Sequence, residues 1–163
     1  MRHFAIVGAA IIASISAFDT EAAVSREAAL EAAIENAGIP KRDIFNLKVE
    51  PDEESGVAVY SIEFETEYGD FDFCVARSDG RIIDADTEVD EAWIRRQPDI
   101  RNAEEAIRNE VVRRVPGASG DQIRLRREGE RFEGLLWHEG FKYEFEADAR
   151  TGIISDWNAE MRR

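Results

Sequence analysis

The sequence predicts an α+β protein made of two repeats, each laying one helix on a three- to four-stranded antiparallel sheet, after an N-terminal signal segment. Three observations carry that prediction. The apolar period changes from about 3.6 residues to two along each half of the chain. The change occurs twice in the same order. A run of 15 uncharged residues, Phe4 to Phe18, precedes the first half.

The N-terminal run follows Met1-Arg2-His3 and leads into small and polar residues, Asp19-Thr20-Glu21-Ala22-Ala23. A basic start, a short apolar stretch and small residues near the exit are the parts of an export signal. Fifteen helical residues reach about 22 Å, short of a hydrocarbon core of ~30 Å. Residues 1–23 are therefore expected to be a signal peptide or a short membrane anchor. Cleavage after Ser16 and cleavage after Ala22 both satisfy the small-residue requirement.

The first unit spans residues 24–92. Ser25 is a good N-cap and Glu27 lies in the first turn, where the helix dipole favours it. Leu30, Ala33, Ile34 and Ala37 form an apolar stripe, with Glu27, Glu31 and Glu35 opposite, and Gly38 and Pro40 stop the helix. Tyr60, Ile62 and Phe64 then alternate with Ser61, Glu63 and Glu65. After a turn at Tyr68-Gly69, Phe71, Phe73 and Val75 alternate with Asp70, Asp72 and Cys74. Alternation of this kind marks half-buried antiparallel strands with one solvated face. Ser78-Asp79-Gly80 then turns the chain into Ile82-Ile83.

Residues 93–98 are expected to link this unit to a second one, residues 99–163. Asn102 with Glu105 predicts a capping box, and Ala103, Ala106, Ile107 and Val111 form the stripe of a helix that Pro116-Gly117 ends. Phe141, Tyr143 and Phe145 alternate with Lys142, Glu144 and Glu146 after a turn at Glu139-Gly140. The preceding strand, Leu135 to Trp137, has consecutive apolar residues and no readable register. Arg150-Thr151-Gly152 closes the unit as Ser78-Asp79-Gly80 closes the first, and Phe71 to Asp86 aligns with Tyr143 to Asn158 without a gap. Trp93, between the units, is expected to pack where they meet.

The chain of 163 residues carries 21 Lys+Arg and 35 Asp+Glu, a net charge of −14. Such a surface repels phosphate backbones and anionic lipid, which argues against a nucleic-acid partner and limits membrane contact to the N-terminal segment. The charge is uneven: residues 24–98 hold 8 basic and 19 acidic side chains, residues 99–163 hold 12 and 14. Glu63, Glu65, Glu67, Asp70 and Asp72 are expected on the water side of the first sheet. There they serve solubility and block edge-to-edge pairing, or they offer a docking face to a basic surface.

The helix SREAALEAAIENAGI, the stretch from Asp43 to Glu50, the strand VYSIEF and above all YEFEADARTGII (Tyr143–Ile154) resemble the PepSY domain family. The ending Asp148-Ala-Arg-Thr-Gly152-Ile is similar to that family's Asp-Ala-x-Thr-Gly-x-Ile, and the first unit departs from it with Ala76-Arg-Ser-Asp-Gly80-Arg-Ile. The resemblance covers nearly all of the chain after the signal, once per half. It implies a tandem PepSY protein outside the cytoplasmic membrane, secreted or membrane-anchored. It also implies restraint of peptidase activity, with a secreted or membrane peptidase as partner, or a role as an envelope binding module. No catalytic residues come with the resemblance. The chain ends after the second unit, so any restraint is expected to act in trans.

The residues themselves nominate no catalytic side chain, no cofactor-binding residue and no metal ligand, and no cofactor is expected. There is no His-Glu-x-x-His helix, phosphate loop or Gly-x-Ser-x-Gly elbow. His138 is the single histidine outside the N-terminal segment and Cys74 the single cysteine. A Cys74–His138 nucleophile pair lacks any signalled orienting group. Asp84-Ala-Asp86-Thr-Glu88-Val-Asp90 begins like a calcium loop but has Val89 where the turn glycine is needed and Arg95 where the bidentate glutamate should be. The arginines Arg124, Arg126 and Arg127, with Arg113 and Arg114, lie among Glu128, Glu130 and Glu133, which predicts local pairing. Taken with what the resemblance implies, two roles are expected: a non-enzymatic binding protein that restrains a peptidase, or an envelope scaffold whose acidic surface binds cations or basic proteins.

Overall fold

A computed structural model describes residues 23–162. The expected signal or anchor lies almost entirely outside the described residues. The chain forms helix α1 (Arg26–Ala37), strands β1 (Phe45–Glu54), β2 (Val57–Thr66), β3 (Gly69–Ala76) and β4 (Ile82–Val89), and the short helix α2 (Glu91–Ile94). Helix α3 (Ala103–Arg114) and strands β5 (Arg124–Glu128), β6 (Arg131–His138), β7 (Phe141–Asp148) and β8 (Ile154–Met161) follow.

All eight strands join one antiparallel sheet in the order β1-β2-β3-β4-β8-β7-β6-β5. The sequence predicts a separate small sheet for each half; the structure fuses them through β4 and β8, paired from Asp84↔Glu160 to Glu88↔Asp156. Each of these strands closes its own run of hairpins and would otherwise be a free edge, and pairing them satisfies both rows of backbone groups.

The two long helices share one face of this sheet. Ala29, Ala33 and Ile34 of α1 and Ile107 and Val111 of α3 belong to one core with Ile62, Phe64, Phe73, Leu136, Phe145 and Trp157. Helix and sheet each have one apolar side, and stacking them buries both. The helices meet at their C-terminal ends. Arg113 donates from Nη1 to the Glu35 carbonyl and from Nη2 to the Asn36 carbonyl, each at 2.8 Å. Asn36 Nδ2 donates back to the Arg114 carbonyl at 2.9 Å. A cation thus meets the carbonyl end of α1, as the helix dipole favours, and adds to the Gly38 N–H that the Glu35 carbonyl already accepts.

The local signals act largely as expected. Ser25 accepts from the Ala28 backbone N–H at 3.1 Å, and Gly38 takes the left-handed conformation that ends α1, at φ 71°. The start of α3 differs. Asn102 makes no cap hydrogen bond and instead donates from Nδ2 to Glu105 Oε2 at 3.1 Å; the reciprocal box forms at Ser119 and Gln122, on the 3₁₀ turn before β5. The interval 93–98 carries the end of α2. Asp90 caps that helix by accepting from the Ala92 and Trp93 backbone N–H groups, and Trp93 stacks on Tyr68 with ring centroids 4.6 Å apart. Arg150 ties the same interval to the last hairpin, donating to the carbonyls of Gln97 at 2.7 Å and Ile94 at 3.1 Å.

Candidate functional site

Both long helices lie on one side, and among the described residues the other side of the sheet carries no long helix. Successive strand residues point to opposite faces, so the residues alternating with the core line this open face. Register then sets them in rows across the strands. One row runs Glu63, Asp72, Asp86, Asn158, Glu144. A second runs Glu65, Asp70, Glu88, Asp156, Glu146. On the other flank Cys74 faces Asp84, Asp84 faces Glu160, and Glu160 faces Lys142. The four central strands therefore present nine carboxylates and one lysine on this side.

Like charges directly opposite one another repel, by about 0.2–1 kcal/mol a pair. Burial and this repulsion act together on the central carboxyls. Burial first, and then Glu63, Asp86 and Asp70, push Asp72 above the usual aspartate range. Burial together with Glu54, Asp86 and Glu160 does the same to Asp84, and burial with Asp86, Glu146 and Glu88 to Asp156. Cations reach the ends of these rows, where Arg131 pairs with Glu146 at 2.6 Å and Arg162 with Glu160 at 2.9 Å. Lys48 pairs with Glu63 at 2.7 Å, Lys142 with Glu144 at 2.6 Å, and Arg126 with Glu128 at 2.6 Å and Glu133 at 2.9 Å. Asp70, Asp72, Asp84, Asp86, Glu88 and Asp156, at the centre of the face, form no ion pair among the described residues.

The expected acidic row is found where the alternation placed it, with Glu63, Glu65, Asp70 and Asp72 on the open face; Glu67 sits in the turn between β2 and β3. What the sequence left out is the continuation of this row through β4, β8 and β7, because that continuation depends on the β4–β8 pairing. The stretch Asp84 to Asp90 is a strand running into a helix cap rather than a loop. No cluster of three or more acidic, His or Cys side chains suited to a metal occurs among the described residues. The Cys74–His138 pair is not brought together. Cys74 lies on β3 and His138 at the end of β6, with β4, β8 and β7 between them, a span of about 19 Å at the usual strand spacing. Burial and the carboxylates of Asp84 and Glu54 push the Cys74 thiol up to about 11.

The arginines divide into two groups instead of one cluster. Arg124, Arg126 and Arg127 lie on β5, whereas Arg113 and Arg114 end α3 and both pair with Glu110. Trp137 is the large apolar residue that sequence reasoning left unassigned. With Leu136 turned into the core, Trp137 faces outward on β6 and is 53% exposed. Its signal was hidden by the run Leu135-Leu136-Trp137, in which three apolar residues mask the alternation.

No family model and no curated protein matches the chain. Among solved structures, the C-terminal domain of YpeB from Bacillus megaterium superposes with a TM-score of 0.55 at 10% identity, covering 83% of this chain and 62% of that one. The chain thus spans about three-fifths of that neighbour and shares its fold. A candidate lipoprotein from Clostridium difficile 630 aligns over 72% of this chain and 82% of its own at 13% identity, with a TM-score of 0.25. No helix among the described residues is long and apolar enough to cross a membrane.

Proposed function

We propose that this chain is an exported, non-enzymatic binding protein of PepSY type, with two copies of one unit in a single sheet, that docks a basic protein surface on its open face. The observation that carries the reading is the side of the four central strands away from α1 and α3, where six of nine carboxylates form no ion pair among the described residues. A protein partner bearing lysines and arginines would neutralise that repulsion, and charge complementarity of this kind steers and orients association. The exposed Trp137, at the flank of the same face, has the residue type that anchors interfaces.

The repeat reading draws support from the β4–β8 seam. Asp86 and Asn158 occupy the same position in the two aligned segments and face each other directly across it, as two copies related by a pseudo-twofold axis would. Export rests on the N-terminal sequence. The docking reading is tested by titrating an isotopically labelled chain with a lysine-rich probe protein, cytochrome c, and following backbone amide shifts. Perturbations should concentrate on β3, β4, β8 and β7 and fade with salt. Shifts confined to α1 and α3 would overturn it.

A second reading keeps the peptidase as partner. It is favoured by β1, the edge strand of the sheet, which exposes Phe45 and Leu47 beside an unpaired main chain. An edge of this kind can enter a protease cleft by main-chain pairing. A dose-dependent fall in the cleavage rate of a thermolysin-like metalloprotease, abolished by Phe45→Asp with Leu47→Asp, would support it. An unchanged rate would remove it.

A further inference from the structure

On the side opposite the acidic face lies a cavity of about 700 Å³ between the C-terminal halves of α1 and α3 and the seam of the sheet. That volume lies within the range of ~300–1,000 Å³ typical of small-molecule sites. Its origin is local: Ala85 on β4 and Ala159 on β8, paired across the seam, are too small to fill the space beneath the helices. Aromatic residues make one wall. Tyr143 packs on both Phe141 and Trp157, with centroids 6.1 and 5.6 Å apart.

Three arginines, Arg81, Arg113 and Arg114, line the cavity against two carboxylates, Glu35 and Glu139, in a chain that is strongly acidic elsewhere. Arg114 is the decisive one. Its side chain is only 9% exposed, and its guanidinium lies over the Trp157 ring, 5.1 Å from the centroid. Nε donates to Glu110 Oε1 at 2.9 Å, while the two Nη groups make no hydrogen bond among the described residues. A guanidinium stays charged in proteins, and its fork of N–H groups matches a carboxylate bidentately. A buried cation with open donors at the back of an apolar cavity is a site for an anion. Glu110 does not fill that role alone, because it is shared with Arg113 at 2.7 Å. At the mouth, Arg81 lies over Phe141 at 5.3 Å and adds a second positive charge.

We infer that this cavity binds an organic carboxylate with an apolar body, its carboxylate on the Nη edge of Arg114 and its body against Trp157 and Tyr143. The site lies on the helix side of the sheet and does not depend on the docking reading. The acid could be a free small molecule or the C-terminus of a peptide chain, since both present the same headgroup.

Calorimetry on the chain from residue 23 onward tests this with 3-phenylpropionate and the tripeptide acetyl-Ala-Ala-Phe, each as free acid and as amide. One or both free acids should bind with a Kd on the order of 0.1 mM, as suits a ligand of this size. The amides should bind at least about tenfold more weakly, since the charge-assisted pair is lost. Preference for phenylpropionate would assign the site to free acids, and preference for the tripeptide to chain ends. Arg114→Gln should abolish the difference between acid and amide. Ala159→Leu, which fills the cavity and leaves the arginine in place, should abolish binding while the protein melts cooperatively. No binding of either acid at 5 mM, equal affinity for acid and amide, or undiminished affinity in the folded Ala159→Leu protein would overturn the assignment.

Discussion

Asp72 on β3 stands directly opposite Asp86 on β4, so that two carboxylates share one position of the open face. With its pKa raised in the folded protein, Asp72 disfavours folding once it is ionised. That penalty is present at neutral pH and is relieved as pH falls through the raised value. Asp72→Asn should therefore stabilise the protein at pH 7 by about 0.2–1 kcal/mol, a rise of a few degrees in Tm. The gain should shrink with salt and vanish below the ordinary aspartate value of 3.8. Thermal unfolding of both proteins at pH 7 and pH 3.5 checks the sign.

Glu110 behaves in the opposite sense. Burial alone would raise its pKa, but hydrogen bonds from Arg113 and Arg114 and their charge outweigh it and hold the carboxyl below its usual range. A lowered pKa contributes stability above the unfolded value of 4.5 that is lost as pH falls through the folded one. Glu110→Gln leaves Arg114 buried without its counterion and should cost about 2–3 kcal/mol at pH 7. Denaturant titrations should show the gap between mutant and parent closing in acid.

Gly134 lies opposite Phe145 on β6 and β7, and a methyl group on Gly134 would overlap the Phe145 ring. The ring is buried against Trp157 and has no room to retreat. Gly134→Ala should destabilise by about 1–3 kcal/mol through overpacking, read as a lower midpoint in urea with an unchanged slope. An unaltered midpoint would mean that β6 runs in a different register.

Much of this molecule was legible in its residues. The stripe of α1, its Ser25 cap and Gly38 stop, and the alternation in β2, β3 and β7 each follow from local periodicity. β1 was harder, because Pro51 and a stretch of four acidic residues among Glu50 to Glu54 carry no alternating pattern. The register of β6 was hidden by Leu135-Leu136-Trp137 and is set by Gly134 fitting beneath Phe145, a contact between strands. The fusion of two expected sheets into one depends on the pairing of Asp84–Glu88 with Asp156–Glu160, residues more than 65 positions apart. The candidate site inherits that limit: its acidic half could be read from β2 and β3, its full extent could not.

Cys74 is half-buried beside Asp84 on the open face. With its pKa at about 11, the thiolate fraction at pH 8 is about two orders of magnitude below that of a free cysteine. Its reaction with iodoacetamide should be slower by a similar factor, and should approach the free rate only in denaturant. A fast reaction in the folded protein would place the thiol in a different environment.

On the docking proposal, the position of the carboxylates, and not net charge alone, makes the open face a docking surface. The direct test compares two variants that each remove four negative charges. One carries Asp72→Asn, Asp86→Asn, Glu88→Gln and Asp156→Asn on the open face; the other carries Glu27→Gln, Glu31→Gln, Glu104→Gln and Glu105→Gln on the helices. Affinity for cytochrome c at fixed ionic strength should fall about tenfold or more in the first and little in the second. Equal losses in the two variants, or none in the first, would overturn docking on the open face.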